Sequence, residues 1–316
     1  MSFLRGKSTS YTRFALPKAT TMQAVDKLVD SLAYSGIPVG DLEANGFVSY
    51  RNLLDSPIDR GLLPDNHDLW LTGLRRDVKR APAALVRAQV ARTLADARTV
   101  TPNLSKQRIK EITAEVRADL HGQAQRRPAH AAVMVNLSTN VLYVDGIASA
   151  HPWLTEKMQA ESLFTDPNVN ADYLAWCAWR AGAGVDTPCS PTGDIAFLEP
   201  KDAGAQFDGA HNVDNLLSYW MGEQDATIAS LGLVFAVDSD GDSHNTFVTL
   251  HANGLKVTGL EWPEEVLNEP GDLDSKMARR LKFVTEFELA LAKDFKEFAE
   301  LAVHDRLPDK FLELTS

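Results

Sequence analysis

The sequence predicts an α+β fold with mixed sheet-and-helix lobes, and three patterns support it. Apolar residues alternate with a period of two between 133 and 144, which is typical of a β-hairpin. Between 85 and 120 they recur at helical spacing on two segments, and a further helical stripe runs from 275 to 304. At 316 residues, the chain is long enough to bury a substantial core and to form two lobes.

The first hundred residues are expected to combine short strands with one helix. Thr20 or Thr21 can cap a helix whose apolar residues recur from 25 to 32, and Gly36 with Pro38 is expected to end it. Strands are expected at 11–16, 46–48 and 69–71.

Two amphipathic helices are predicted between residues 82 and 120. Pro82 fits the first turn of the first helix, and Pro102 ends it. Its expected apolar stripe is Leu85, Ala88, Ala91, Leu94 and Ala95. Asn103 or Ser105 can cap the second helix. The stripe of that helix is Ile109, Ile112, Val116 and Leu120.

The remaining elements follow the hairpin predicted at 133–137 and 141–144. Strands are expected at 231–237, 246–251 and 255–260. The C-terminal helix is expected over about 275–304, with Glu288 interrupting its apolar stripe, and such length favours contact with a partner as well as with the core. An aromatic cluster is expected in the core; it comprises Trp153, Phe164, Tyr173, Trp176 and Trp179.

Charge is sorted along the chain. Residues 75–127 hold thirteen cations against five acids, so this segment carries +8 in a protein of net charge −11. These candidate DNA-binding residues are Arg75, Arg76, Lys79, Arg80, Arg87, Arg92, Arg98, Lys106, Arg108, Lys110, Arg117, Arg126 and Arg127. Segregated positive charge favours a polyanionic partner, although two solvated Arg-rich helices would give the same pattern.

Motifs for common enzyme chemistry are absent from the sequence. Gly6-Lys7-Ser8 lacks the preceding glycine of a phosphate-binding loop. The acidic turn at 238–242 has Ser243 and Thr249 where a calcium loop needs Gly and Glu. We therefore predict no catalytic residue, no metal and no cofactor, with a hairpin turn at 238–242.

Cysteine count and hydropathy bear on the compartment. The two cysteines, Cys177 and Cys189, favour reduced thiols, with a single bridge as the alternative. No apolar run approaches the roughly 20 residues that span a bilayer, and the acid-free N-terminus lacks an apolar signal region. A cytoplasmic protein without membrane contact is expected.

The chain resembles the recombination-associated protein RdgC family in the order and spacing of several stretches. The first stretch is 3–16 with the helix after it and NGFV at 45–48, and the second is the strand at 69–74 leading to RRDVK at 75–79 and Pro82. The third is 109–120, which runs into AVMV at 132–135, VLYVD at 141–145 and ASA at 148–150. The fourth is GLK at 254–256, followed by the acidic segment and the long C-terminal helix. The likeness covers most of the length but contains no short diagnostic motif.

The resemblance implies a non-enzymatic protein that binds double-stranded DNA with little sequence preference. It also implies a horseshoe-shaped subunit, a homodimeric ring around DNA, association with the nucleoid and restraint of RecA-driven strand exchange. Single-stranded DNA would bind more weakly. Two departures concern ring closure: the expected fingertip at 121–131 has no aromatic residue, and 202–255 has no Lys or Arg.

Three hypotheses therefore remain. The first is a DNA-binding dimer, the second a scaffold whose basic helices dock an acidic protein, and the third a metal-dependent nuclease. The expected organisation is an N-terminal α+β region with the first basic helix at 1–100, a tip-like region with the second helix and the hairpin at 101–150, and a C-terminal α+β region at 151–316.

Overall fold

The computed structural model describes residues 6–50, 69–145, 151–183, 187–198, 204–210, 213–239, 241–268, 271, 273–304 and 306–315. Parts of the family resemblance, at 3–5 and 148–150, lie outside these residues, as does Asp240 of the acidic turn. The described chain is an α+β protein, as the sequence predicts, and it is built on an antiparallel sheet.

The sheet contains eleven strands among the described residues. They are β1 (Ser8–Ala15), β2 (Glu43–Val48), β3 (Leu69–Lys79), β4 (Arg126–Asn136), β5 (Val141–Val144), β6 (Glu161–Ser162), β7 (Cys189–Leu198), β8 (Gly204–Phe207), β9 (Thr227–Ser239), β10 (Asp242–His251) and β11 (Lys256–Glu261). Their order is β2-β3-β4-β5-β1-β11-β10-β9-β7-β8, and β6 pairs with β1 beside this path.

The described residues also form nine α-helices. They are α1 (Met22–Ser31), α2 (Ala83–Val100), α3 (Lys106–Gln123), α4 (His151–Met158), α5 (Pro167–Gly182), α6 (Val213–Leu217), α7 (Glu264–Leu267), α8 (Leu273–Val303) and α9 (Asp309–Thr315). A π-helical turn, Ser218–Glu223, follows α6, and a 3₁₀ turn, Asn253–Leu255, precedes β11. No helix in the described part of the chain is long and apolar enough to cross a membrane.

Strand β1 joins the two halves of the sheet. One edge pairs with β5, with Phe14 opposite Leu142, and the other pairs with β11, with Tyr11 opposite Val257. A smaller core, which includes Val29, lies with the N-terminal half, and a larger core lies with the C-terminal half. The first strand of the chain is therefore a central strand of the sheet.

Helix α8 supplies two buried carboxylates to the larger core. Glu288 accepts hydrogen bonds from Tyr11 Oη at 2.7 Å and Arg13 Nη1 at 2.9 Å. One and a half turns later, Asp294 binds both terminal nitrogens of Arg180 at 2.8–2.9 Å. Burial raises the pKa of Tyr11, so the phenol stays protonated and donates to Glu288.

Several predicted elements are confirmed. The hairpin of β4 and β5, the strands β9 to β11 and the long helix α8 occur where the sequence patterns predict them. Thr21 caps α1 and Ser105 caps α3, each accepting from a backbone N–H three residues on. Tyr173 and Trp176 are buried, and the other three aromatic residues of the cluster pack partly buried against the two cores.

The predicted end of α1 is wrong. The helix stops at Ser31, before Gly36 and Pro38, because the chain leaves it to pair with β2. Phe47 donates its N–H to Leu32 O at 2.9 Å and accepts from Tyr34 N at 2.8 Å. Backbone pairing with a strand therefore ends this helix.

Candidate nucleic-acid interface

Helices α2 and α3 form a helical hairpin at one end of the two-stranded ribbon made by β3 and β4. We call this hairpin, residues 80–125, the arm. The two strands pair along their whole length, from Leu69 opposite Asn136 to Lys79 opposite Arg126. Each helix has 18 residues and is therefore about 27 Å long. The arm is thus an insertion between two paired strands.

The two helices contact each other along one line of apolar residues. On α3 this line matches the predicted stripe, with Ile112 buried and its neighbours partly buried. On α2 the predicted stripe is wrong: Val86 is buried, while Leu85 is 52% exposed. Val86 is buried and Val90 and Leu94 are partly buried, whereas the alanines at 88, 91 and 95 are exposed. Since α2 packs against α3, the line of Val86, Val90 and Leu94 is assigned to the contact between them.

The expected fingertip at 121–131 is also in a different place. Residues 121–123 end α3, and β4 begins at Arg126 and pairs at once with β3. The far end of the arm is instead the 101–105 turn, where Thr101, Pro102 and Asn103 are exposed. The expected boundary between residues 100 and 101 therefore falls between two helices that pack together.

The thirteen candidate cations divide between the arm helices and its root. Seven lie on the helices: Arg87, Arg92, Arg98, Lys106, Arg108, Lys110 and Arg117. The other six lie outside the two helices, on β3, on β4 or just after β3. These are Arg75, Arg76, Lys79, Arg80, Arg126 and Arg127.

Helix geometry places five of the seven helical cations on one face of the arm, called the basic face. Successive residues lie about 100° apart around a helix axis, and the angles below run from the contact line in the direction of increasing residue number. Arg87 and Arg98 lie within about 20° of each other, roughly 90° ahead of the contact line. Lys106, Lys110 and Arg117 lie within about 40° of one another, again roughly 90° ahead of the line on α3. Because the helices are antiparallel, equal offsets point to the same side of the hairpin.

The acidic residues of the arm lie on the opposite side. By the same angular measure they lie on the other side of the contact line from the basic face. They are Asp96 on α2 and Glu111, Glu115 and Asp119 on α3. Arg108 lies among them and forms ion pairs with Glu111 at 3.0 Å and Glu115 at 3.6 Å. The arm is therefore two-faced, with one basic side and one mainly acidic side.

Cations of the basic face are exposed. Arg87, Arg98, Lys106, Lys110 and Arg117 all have highly accessible side chains. Within the part of the chain that the structure describes, each of the five lacks an ion pair with a carboxylate. Exposed positive charge without an internal partner is available to an external anion.

At the root, Arg75 is engaged inside the protein. Its Nε and Nη2 donate to the two oxygens of Asp77 at 2.7 and 2.8 Å, and its guanidinium lies 4.4 Å from the Tyr34 ring centroid. Burial is the largest single effect and raises the pKa of the Asp77 carboxyl. Hydrogen bonds from Arg75 and Tyr34, together with the charges of Arg75 and Arg126, outweigh burial, so this pKa lies below its usual value. Burial and nearby Asp77 raise the pKa of Tyr34 to about 12.

The other root cations differ in their surroundings. Arg76 donates to Glu43 at 2.6 Å, so it too has an internal partner. Lys79 lies directly opposite Arg126 across the β3–β4 ladder, and Arg127 is exposed beside it. Like charges directly opposite each other in a sheet are unfavourable, and an anion bound there would relieve the repulsion.

One buried group has the ligand types of a metal site. The ligand atoms of Cys177, Cys189 and Asp294 lie within 4.8 Å of one another, and both thiols are free and buried. Both Asp294 oxygens, however, accept from Arg180, and Tyr173 Oη donates to one of them at 2.8 Å. A cation in this position would face the guanidinium, so the group does not fit a metal.

The two thiols are perturbed in opposite directions. Burial raises the pKa of Cys177, whereas a hydrogen bond from Cys177 lowers the pKa of Cys189.

The predicted acidic turn at 238–242 does not form a metal-ligand group of three within the described residues.

Comparison of the chain with protein-family models gave no match, and comparison with curated proteins gave none either. The resemblance to the RdgC family therefore stays a prediction.

Proposed function

We propose that the protein binds double-stranded DNA without sequence preference and that the basic face of the arm is its main contact. The observation that carries the proposal is the segregation of the arm's charge. Five exposed cations share one face, and Arg108, which forms ion pairs with Glu111 and Glu115, lies on the other. Phosphate contacts of this kind bind any sequence, since they do not read base edges.

The dimensions of the basic face fit a phosphate backbone. Arg87 and Arg98 are eleven residues apart on α2, as are Lys106 and Arg117 on α3, so each row is about 16 Å long. Packed helices lie about 8–10 Å apart, so the two rows form a flat patch. Duplex DNA carries one charge per about 1.7 Å of its axis, which provides several phosphates over this length.

The composition of the arm favours duplex over single-stranded DNA. Residues 80–125 contain no Phe, Tyr or Trp, so the arm offers no aromatic ring on which an unpaired base could stack. Single strands would therefore bind through phosphates alone and more weakly.

The family resemblance extends the proposal to assembly and role. It suggests a horseshoe-shaped subunit in a homodimeric ring around the duplex, association with the nucleoid in the cytoplasm, and modulation of RecA-dependent recombination. The root contacts revise the set of DNA-binding residues, because Arg75, Arg76 and Arg108 have internal carboxylate partners. Arg92 lies on the side of α2 that points away from α3 and outside the basic face. The other nine candidates, five of them on the basic face, are the proposed contacts.

The test compares two variants with the same change in charge. Lys106→Ala with Lys110→Ala removes two cations from the basic face, and Arg92→Ala with Arg108→Ala removes two from elsewhere on the arm. Binding of a labelled duplex is measured by fluorescence anisotropy at several salt concentrations, with the mass of the free protein taken from sedimentation. Each phosphate contact contributes about −0.9 to the log–log salt slope, so the basic-face variant should reduce its magnitude by about 1.8.

The control variant should keep the slope of the unaltered protein. Equal effects of the two variants would show that net charge, and not the basic face, governs binding. Absence of duplex binding even at low salt would refute the proposal and favour an acidic protein as the partner. Magnesium-dependent degradation of the duplex, abolished by a chelator, would instead support the nuclease hypothesis.

A further inference from the structure

A pocket of about 410 Å³ lies beside the strand that joins the two halves of the sheet. Its walls come from β1, from the segment after β6, and from the 3₁₀ turn before β11. Thr12, Arg13, Ser162, Thr165 and Lys256 line it, together with the ring of Phe164. Ligand pockets of 300–1,000 Å³ are common where two structural units meet.

Arg13 forms part of this wall and is only 2% exposed. Its guanidinium lies 4.7 Å from the Phe164 ring centroid, and its terminal nitrogens bind Glu288 and the Leu255 carbonyl. Among the residues that the structure describes, its Nε–H has no hydrogen-bond partner. A buried donor without a partner costs free energy, so such a donor indicates that an acceptor is missing.

The other lining groups are donors too. Hydroxyls of Thr12, Ser162 and Thr165 and the exposed ammonium of Lys256 surround the pocket, and none of its lining residues carries a carboxylate. Such a wall, rich in donors and carrying the Lys256 ammonium beside the Glu288-paired guanidinium of Arg13, suits an anion with several acceptor oxygens.

The backbone around the pocket is held in an unusual conformation. Phe164 has φ +56°, Gly254 has φ +68° and Leu255 has φ +42°, all in the left-handed region. Asn170 fixes two of these segments together, because its side-chain amide donates to both Phe164 O and Ala252 O at 2.7 Å. Strained backbone held by buried contacts is frequent at ligand sites.

We propose that this pocket binds a small phosphate-bearing molecule. A phosphate group offers several oxygens to the hydroxyls of Ser162 and Thr165 and to the ammonium of Lys256, and the volume leaves room for a small organic part. The site is separate from the arm and does not depend on DNA binding, since no arm residue lines it.

Inorganic phosphate is the probe that tests the site. It is titrated into ¹⁵N-labelled protein at constant ionic strength, with sodium chloride as the balancing salt, and backbone amide shifts are followed. Saturable shifts at Thr165, Gly254 and Lys256 are expected, with a Kd of about 1 mM or tighter. Lys256→Ala and Thr165→Val should each weaken binding, by about tenfold for the loss of the ammonium.

Two controls make the result specific. Lys27→Ala, which removes an exposed ammonium on α1, should leave the affinity unchanged. The Lys106→Ala/Lys110→Ala variant should also keep it, so failure of the pocket and failure of DNA binding can be told apart. The proposal is overturned if the pocket amides do not saturate by about 10 mM, if only arm amides shift, or if Lys256→Ala binds like the unaltered protein.

Discussion

Replacement of Glu288 by Ala should strongly destabilise the protein, because this carboxylate holds two buried partners. Arg13 is 2% exposed and Tyr11 is 1% exposed. Without Glu288, the Arg13 charge keeps the Leu255 carbonyl and the Phe164 ring among the described residues, and the Tyr11 hydroxyl loses this carboxylate acceptor. The variant leaves a buried charge and a buried hydroxyl without their carboxylate.

The magnitude follows from these two losses. Removing one partner of a buried ion pair costs about 3–5 kcal/mol. An unsatisfied buried hydroxyl adds about 1–3 kcal/mol. Because both act through one carboxylate, the terms overlap, and we expect a total of about 4–6 kcal/mol. Arg13→Met together with Glu288→Leu should cost less than Glu288→Ala alone, since no charge is then left buried.

Urea unfolding, followed by circular dichroism and by tryptophan fluorescence, measures this change in the free energy of unfolding. The matched control is Glu300→Ala on the same helix, where the pair with Lys296 is exposed and should contribute less than about 1 kcal/mol. A loss below about 1 kcal/mol for Glu288→Ala would refute the reasoning, because it would mean that water reaches Arg13.

Three further predictions concern the sheet and the arm. Gly46→Ala should lower the free energy of unfolding by about 1–3 kcal/mol, since the new Cβ would lie 2.6 Å from the Tyr34 Cα. Gly122→Ala in α3 meets no described atom within 4 Å and should raise the free energy of unfolding by about 0.5–1 kcal/mol; the urea midpoints of both variants check this. Because the pKa of Asp77 is lowered in the folded protein, its ionised carboxylate stabilises the fold above its ordinary pKa of 3.8, and this stabilisation is lost as pH falls through the folded pKa. The difference in free energy of unfolding between Asp77→Asn and the unaltered protein should therefore be large at pH 5 and shrink below about pH 4. A difference that does not change with pH would contradict this prediction. Ile112→Ala should lower the free energy of unfolding of the arm by about 2–4 kcal/mol, because Ile112 is buried there. Amide hydrogen exchange should then accelerate in α2 and α3 but not in β9 and β10, whereas uniform acceleration would show that the arm unfolds only with the whole protein.

Local sequence patterns were sufficient for much of the fold. The alternation around Val133 and the stripe of Ile109 and Ile112 predict their elements because burial on one side forces these periods. The exposed alanines of α2 misled the prediction, because Ala at several phases of a helix gives more than one plausible stripe. Only the packed partner, α3, decides that Val86 faces inward.

The basic charge was evident from the sequence, but its arrangement was not. Counting cations cannot show that Arg75 binds Asp77 while Lys110 has no carboxylate partner among the described residues, since pairing depends on strand register and helix phase. Within each helix, the phase could have been read from the sequence. The common face of α2 and α3 requires their antiparallel packing.

Glu288 shows how an exception in a pattern can mark a buried partner. The sequence presents it as a break in the apolar stripe of α8, whereas the structure places it against Arg13, 275 residues earlier. No local rule connects two residues so far apart. A charged residue within an otherwise apolar helical stripe could nevertheless have suggested a buried pair.

The central place of β1 has a consequence for the order in which the protein can fold during synthesis. Its partner strand β11 and its ion-pair partner Glu288 lie near the other end of the chain. At about 5–20 residues per second, a ribosome adds the 275 residues between Arg13 and Glu288 in about 15–55 s. Until β11 is made, late in that interval, the edge of β1 from Ser8 to Tyr11 lacks its partner strand, although β6 can already pair with Phe14 and Ala15. The nascent chain therefore offers an exposed edge that chaperones could bind until β11 is in place.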